Sequence, residues 1–241
     1  MKCKNSLFSL LIIVLFCSCD MNHTIVTPVD DISTEAYSFS GYSDLIVSHA
    51  FKVEIYFSDS EESITIEANE NLHQYIKVIK DGYSLHIGFA SNIHIKGNAT
   101  LKAYITTRSL SSFSASGASR IVVEDLIKES DVKIDLSGAS YFNGELRSDD
   151  LNAELSGASE ASLSGFSEEC SISASGASKF EDYSLTTDYL YGDLSGASKA
   201  YITINKEISV QASGASNLYY KGQAFPISQD LSGGSKIIRT D

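Results

Sequence analysis

The tetrapeptide Ser-Gly-Ala-Ser returns at 116–119, 137–140, 156–159, 175–178, 195–198 and 213–216, and ends as Ser-Gly-Gly-Ser at 232–235. Its glycines, Gly117, Gly138, Gly157, Gly176, Gly196, Gly214 and Gly233, are spaced by 21, 19, 19, 20, 18 and 19 residues. A fixed step of this size is the signature of stacked copies of one structural unit. It constrains the fold tightly and the ligand hardly at all.

Position by position, with each glycine as zero, the unit reads as two strands and a corner. Position −6 in the last six copies is Val132, Leu151, Cys170, Leu190, Ile208 and Ile227, and position −2 is Leu136, Leu155, Ala174, Leu194, Ala212 and Leu231. The intervening −5 and −3 positions are mostly polar, so one face is buried with period two, as in a half-buried strand. After the glycine, position +4 is apolar in all seven copies, from Ile121 and Phe142 to Ile237. Two strands of this length cannot bury their own apolar face. Stacking the copies in parallel, about 4.8 Å apart, does bury it. Glycine suits the corner because it takes positive φ and permits close backbone approach. Strict alternation from +4 places the +2 serines inside, unless the corner resets the parity.

Residues 37–110 lack the tetrapeptide but keep strand signatures: FKVEIYF (51–57), SITIEA (63–68), YIKVI (75–79), YSLHIGF (83–89) and LKAYI (101–105). Asp81-Gly82 marks a hairpin turn. This segment is expected to form the first, less regular coils and to cap one end of the stack.

The N-terminus reads as export signal. Lys2 and Lys4 precede a ten-residue apolar run, Leu7–Phe16, that is too short to span a bilayer. Residues 1–18 are expected to be a signal peptide removed before Cys19, in a sequence resembling a lipobox, with Cys19 carrying the lipid. Residues 19–36 lack clear periodicity and read as a linker. The mature chain then holds two cysteines. With Cys19 acylated and Cys170 at an inward position, no intramolecular disulfide is expected. The whole chain has net charge −13, and losing Lys2 and Lys4 takes it to −15. So acidic a chain has no basic groove for nucleic acid.

The strand-rich lead segment, the run LSSFSASGAS at 110–119 and the tetrapeptide-marked coils resemble the putative auto-transporter adhesin, head GIN domain family, over about residues 37–235. The resemblance implies a two-sheeted β-superhelix similar in plan to pectate-lyase-like β-helices, secretion or lipid anchoring, and a role in cell adhesion. It carries no catalytic residues over, and only the corner glycines match. The expected fold is therefore all-β: a right-handed two-sheeted parallel superhelix over 37–241, irregular to 110 and regular from 111.

Candidate sites are few. The five histidines all precede the repeat, and His86 and His94, in neighbouring expected strands, form no metal-ligand motif. No nucleophile elbow or phosphate loop occurs, and the corner serines have no activating base nearby. Column −3 presents Asp135, Glu154, Asp193 and Asp230, and column −7 presents Asp131, Asp150, Glu169 and Glu207. Like charges on adjacent coils repel, so solvation, lysines or Ca²⁺ must offset them; the weak metal candidates are Asp135, Glu154, Asp193 and Asp230. Tyr189 and Tyr191, two apart on an outward face, form a possible ligand face for a sugar ring or a partner protein. The expected function is non-enzymatic: an envelope lipoprotein, in or near the outer membrane, displaying a rigid surface for adhesion or ligand binding. A carbohydrate-binding or polysaccharide-cleaving β-helix and a purely structural envelope component are the alternatives.

Overall fold

A computed structural model describes residues 24–241. The expected signal peptide, Cys19 and residues 20–23 of the linker lie outside the described residues. The rest is a β-solenoid of 21 strands with one short 3-10 helix, Glu70–Tyr75. The pairings within the regular coils are parallel, and the pre-corner columns keep the register the repeat dictates up to the last coil: Asp131–Leu136 runs beside 150–155, which runs beside 169–174, 189–194 and 207–212. These form a pre-corner sheet. The post-corner sheet runs from Arg120–Val123 through the strands that begin at Tyr141, Glu160, Lys179 and Lys199 to Asn217–Lys221 and Lys236–Arg239.

The expected inward columns are the core. Positions −6, −2 and +4 are buried through Ile208, Ala212 and Leu218, and Cys170 is fully enclosed, which pushes its thiol far above its ordinary range. Phe113 and Phe142 meet at 5.1 Å between coils. The last coil departs from the pattern. Ile227 and Leu231 are 56% and 40% exposed: among the described residues no coil packs on their outer side, and the ladder slips between Ile208 and Ser209.

The corner supplies the tightest contacts. All seven glycines take φ between +62° and +74°. A Cβ on Gly157, Gly176, Gly196, Gly214 or Gly233 would stand 2.5–2.7 Å from the carbonyl oxygen of the preceding corner glycine. That same oxygen accepts a 2.7 Å bond from the amide of the next coil's alanine, as in Ala177 to Gly157 and Ala197 to Gly176. The +2 serines do point inward. Ser140 donates to its own coil's Ser137 carbonyl (2.7 Å) and to the Ala115 carbonyl one coil back (2.9 Å); Ser216 repeats this with Ser213 and Leu194. Buried hydroxyls thus satisfy buried carbonyls.

The stack begins one coil earlier than the tetrapeptide marks. Val47 pairs with Ala115 and Lys52 with Arg120, which places Ser48-His49-Ala50-Phe51 at a corner. His49 and Ala50 both take φ 63°, and fully buried Phe51 fills the slot held elsewhere by serine. The close approach is weaker at this first step: a Cβ on Gly117 would meet the His49 amide nitrogen at 3.4 Å, an ordinary contact. Beyond this coil, Ser84–Phe89 and Leu101–Thr107 each add one parallel strand. Antiparallel strands then close the end: Ile76–Asp81 through the Asp81-Gly82 hairpin, and Ser63–Asn69 followed by Ile32–Tyr37.

Residues 24–36 therefore do not form the expected linker. Thr24–Val26 pairs with Ile93–Ile95, and Ile32–Tyr37 is the outermost strand of the cap. Backbone and amide bonds hold most of the segment, and Val26 is its one residue in the core. Asn69 donates to the Val29 carbonyl (2.6 Å), Asn71 donates to that of Thr27 (2.9 Å), and the Val29 amide donates to Asn71 (3.1 Å). A strand exposed on both faces leaves no periodic signal.

Replacing Gly176 by alanine should lower the urea midpoint strongly. It imposes an unfavourable φ, worth roughly 1–3 kcal/mol, and forces the Gly157 carbonyl aside. Gly41→Ala is the control: φ is +66° there but nothing lies within 4 Å of the new Cβ, so it should bear only the first cost. Equal losses in the two variants would show that close approach at the corner contributes nothing.

Candidate functional site

The outward side chains divide into two faces of different chemistry. On the pre-corner sheet, the −5 and −3 columns line an open groove of about 470 Å³ bordered by Asn152, Glu154, Ser171, Tyr191 and Asp193. The short side chains of Ser171 and Ser173 leave the space between the longer residues that border it. Tyr191 is 46% exposed at one end. Tyr189 shares the face but does not border the groove. It is half-buried beneath Lys206, whose Nζ lies 5.0 Å from the ring centre, with Glu169 and Glu207 on the flanking coils. Lys206 also bonds Asp188 at 2.7 Å and, with Asn205, holds that carboxyl below its usual range. The two expected tyrosines thus give one groove residue and one strand-covering residue.

The acidic −3 column is interrupted. Asp135 and Glu154 are direct neighbours, but Ser173 separates Glu154 from Asp193, and Gln211 separates Asp193 from Asp230. Lys133 reaches Glu154 at 3.5 Å. Among the described residues no group of three or more metal-ligating side chains could share one ion. His86 and His94 do not meet: His86 stands beside Ile46 and Ile79, and His94 beside Ile25.

The post-corner sheet carries what sequence spacing did not single out. Tyr201 and Tyr219 occupy position +5 of consecutive coils, and their rings stack at 4.8 Å with 7° between planes. Tyr183 meets Tyr201 edge-on at 5.7 Å, and the Lys221 Nζ sits 4.4 Å from the Tyr183 ring centre. Burial, with Tyr219 and Tyr183 alongside, pushes the Tyr201 hydroxyl up. A depression of about 300 Å³ opens beside Tyr183 and Tyr201, edged by Ser162, Glu181 and Asp182. The +5 column was open to inspection in the repeat. Tyr189 and Tyr191 stood out because they are close in sequence, whereas Tyr201 and Tyr219 are 18 residues apart and touch only because the coils stack.

The fold and the two decorated faces define the class: a parallel β-solenoid whose corners are built from a Ser-Gly-Ala-Ser repeat. The chain belongs to the family described as putative auto-transporter adhesin, head GIN domain, whose model matches residues 41–224. Solved structures share the fold. A putative adhesin from Bacteroides fragilis is 18% identical with a TM-score of 0.80, covering 89% of this chain and all of that one. One from Parabacteroides merdae is 16% identical with a TM-score of 0.74, over 90% and 99% of the two chains. A protein from Parabacteroides distasonis described as a putative lipid binding protein is 14% identical with a TM-score of 0.74, over 90% and 100%. At these identities the likeness carries the fold. No protein of curated function matches the chain.

Because the −3 column is interrupted and partly neutralised, millimolar Ca²⁺ and EDTA should give the same thermal midpoint. A rise of several degrees with Ca²⁺ would show that the carboxylates share an ion in spite of Ser173 and Gln211.

Proposed function

We propose that this chain is a non-enzymatic adhesin of the bacterial cell envelope, tethered by a lipid on Cys19, that presents the outer faces of its solenoid to a ligand. The observation that carries this reading is the corner ladder. It fixes the spacing of outward side chains over the length of the body, so a surface built from several coils is held in one geometry without a ligand. Preorganisation of this kind reduces the ordering cost of binding. Membership of an adhesin family supports the reading. The interior is filled by Phe51, Phe113, Phe142 and Phe180, which favours ligand contact on the outer faces over enclosure of a lipid. No helix among the described residues is long and apolar enough to cross a membrane, and an acyl anchor needs none. Each buried methylene of such an anchor contributes about 0.8 kcal/mol, and two signals make attachment stable.

The groove at Tyr191 supports a second reading, a carbohydrate-cleaving solenoid, since Glu154 and Asp193 both border it. Those carboxyls belong to coils on either side of Ser173 and do not converge on one point, which favours binding over cleavage.

Growth with an alkyne fatty acid should label the wild-type protein and leave Cys19→Ala unlabelled. Protease added to intact cells should remove the solenoid. Labelling of Cys19→Ala would overturn the anchor, and full protection of the solenoid in intact cells would overturn surface display.

A further inference from the structure

One coil of the pre-corner sheet is notched. Its outward −5 and −3 positions are Ser171 and Ser173, while the coil before carries Asn152 and Glu154 there and the coil after carries Tyr191 and Asp193. Short side chains thus lie between two rows of longer ones, and Ser209 and Gln211 continue the face on the next coil. The flanking strands stand two strand spacings apart, roughly 9.6 Å, on either side of the groove of about 470 Å³. A space of this size is in the range of small-ligand sites.

The groups bordering the groove are uncommitted. Among the described residues, the side chains of Asn152, Ser171, Ser173, Asp193 and Gln211 make no hydrogen bond or ion pair, and Glu154 is met only by Lys133, at 3.5 Å. Tyr191 is 46% exposed. Its register neighbours, Ser171 and Ser209, are too short to cover a ring, and no aromatic or cationic side chain among the described residues packs on it. The other tyrosines differ: Tyr201 and Tyr219 cover each other, and Tyr189 lies beneath Lys206.

We infer that this groove binds a neutral glycan, with one pyranose ring seated over Ser171 and Ser173 and its C–H face against Tyr191. The open aromatic ring supplies the flat apolar surface that such a face requires. Sugar hydroxyls both donate and accept. The Glu154 and Asp193 carboxylates accept from them in charge-assisted bonds, and the Asn152 and Gln211 amides do both. A uronate or sulfate would set its charge beside the two carboxylates, which disfavours an acidic glycan. A basic peptide would use the carboxylates and leave the amides without a role. The inference rests on the adhesin reading only in taking the outer face as the side that meets ligand. The tether and surface display are decided by the labelling and protease experiments, on which a glycan result has no bearing.

The test is an array of neutral hexose oligosaccharides beside uronate- and sulfate-bearing ones of equal length, probed with the full-length protein in detergent. The strongest neutral spot is then titrated in solution. Expected are signal on neutral spots, little on acidic ones, affinity insensitive to salt, and no release of reducing ends. Tyr191→Ala should weaken binding about tenfold, and Tyr191→Phe should stay within about threefold, since the ring remains. Ser173→Gln fills the notch from an exposed position and should weaken binding to a similar degree as Tyr191→Ala. Tyr83→Ala, which removes a tyrosine 74% exposed on the cap hairpin, should change nothing. Four results would overturn the site: acidic spots as strong as neutral ones, or silence on every neutral spot; affinity unchanged in both Tyr191→Ala and Ser173→Gln; competition by polylysine as effective as by the free glycan, which would mark an acidic patch; or release of reducing ends, which would mark cleavage.

Discussion

The solenoid depends on one close approach. From Gly157 onward, the preceding coil's glycine carbonyl lies close to where the corner Cβ would be, and the residue after each corner glycine bonds to that oxygen through its amide. Only a residue without a side chain, at positive φ, lets both occur. The parallel ladders on either side inherit their register from this point, and the inward serines then close off the carbonyls that the turn leaves facing the core. Apolar burial supplies most of the driving force, but the corner decides which leucine lies over which.

This division explains what was legible beforehand. The inward columns could be assigned from alternation because Val132, Leu151 and Cys170 occupy equivalent slots and nothing between them changes parity. Three features were hidden for separate physical reasons. The first coil has no glycine, since His49 and Ala50 take the left-handed conformation where no preceding corner crowds them. The segment from Thr24 to Tyr37 is held by strand pairing and by Asn69 and Asn71, which leaves no apolar period. Exposure of Ile227 and Leu231 depends on what lies above the last coil, a property of position in the stack and not of the unit.

The candidate site was less legible than the fold. A groove such as that beside Tyr191 is shaped by residues from neighbouring coils, so only correct register reveals it. The same holds for Tyr201 and Tyr219, which alignment of the copies at the glycine would bring together. The contrast between the two faces is likewise a property of columns. Net charge taken over the whole chain averages a carboxylate-rich sheet with a lysine- and tyrosine-bearing one.

The two ends of the solenoid are finished differently. Antiparallel strands seal the first coils, whereas the last coil shows its apolar side chains and an unpaired parallel edge. Each coil bonds to its two neighbours alone, so a unit gained or lost near the open end would leave every other unit's surroundings intact. Gain or loss of a single nineteen-residue block could therefore lengthen or shorten this molecule at little folding cost, making its length an easily tuned trait while the antiparallel cap stays unchanged.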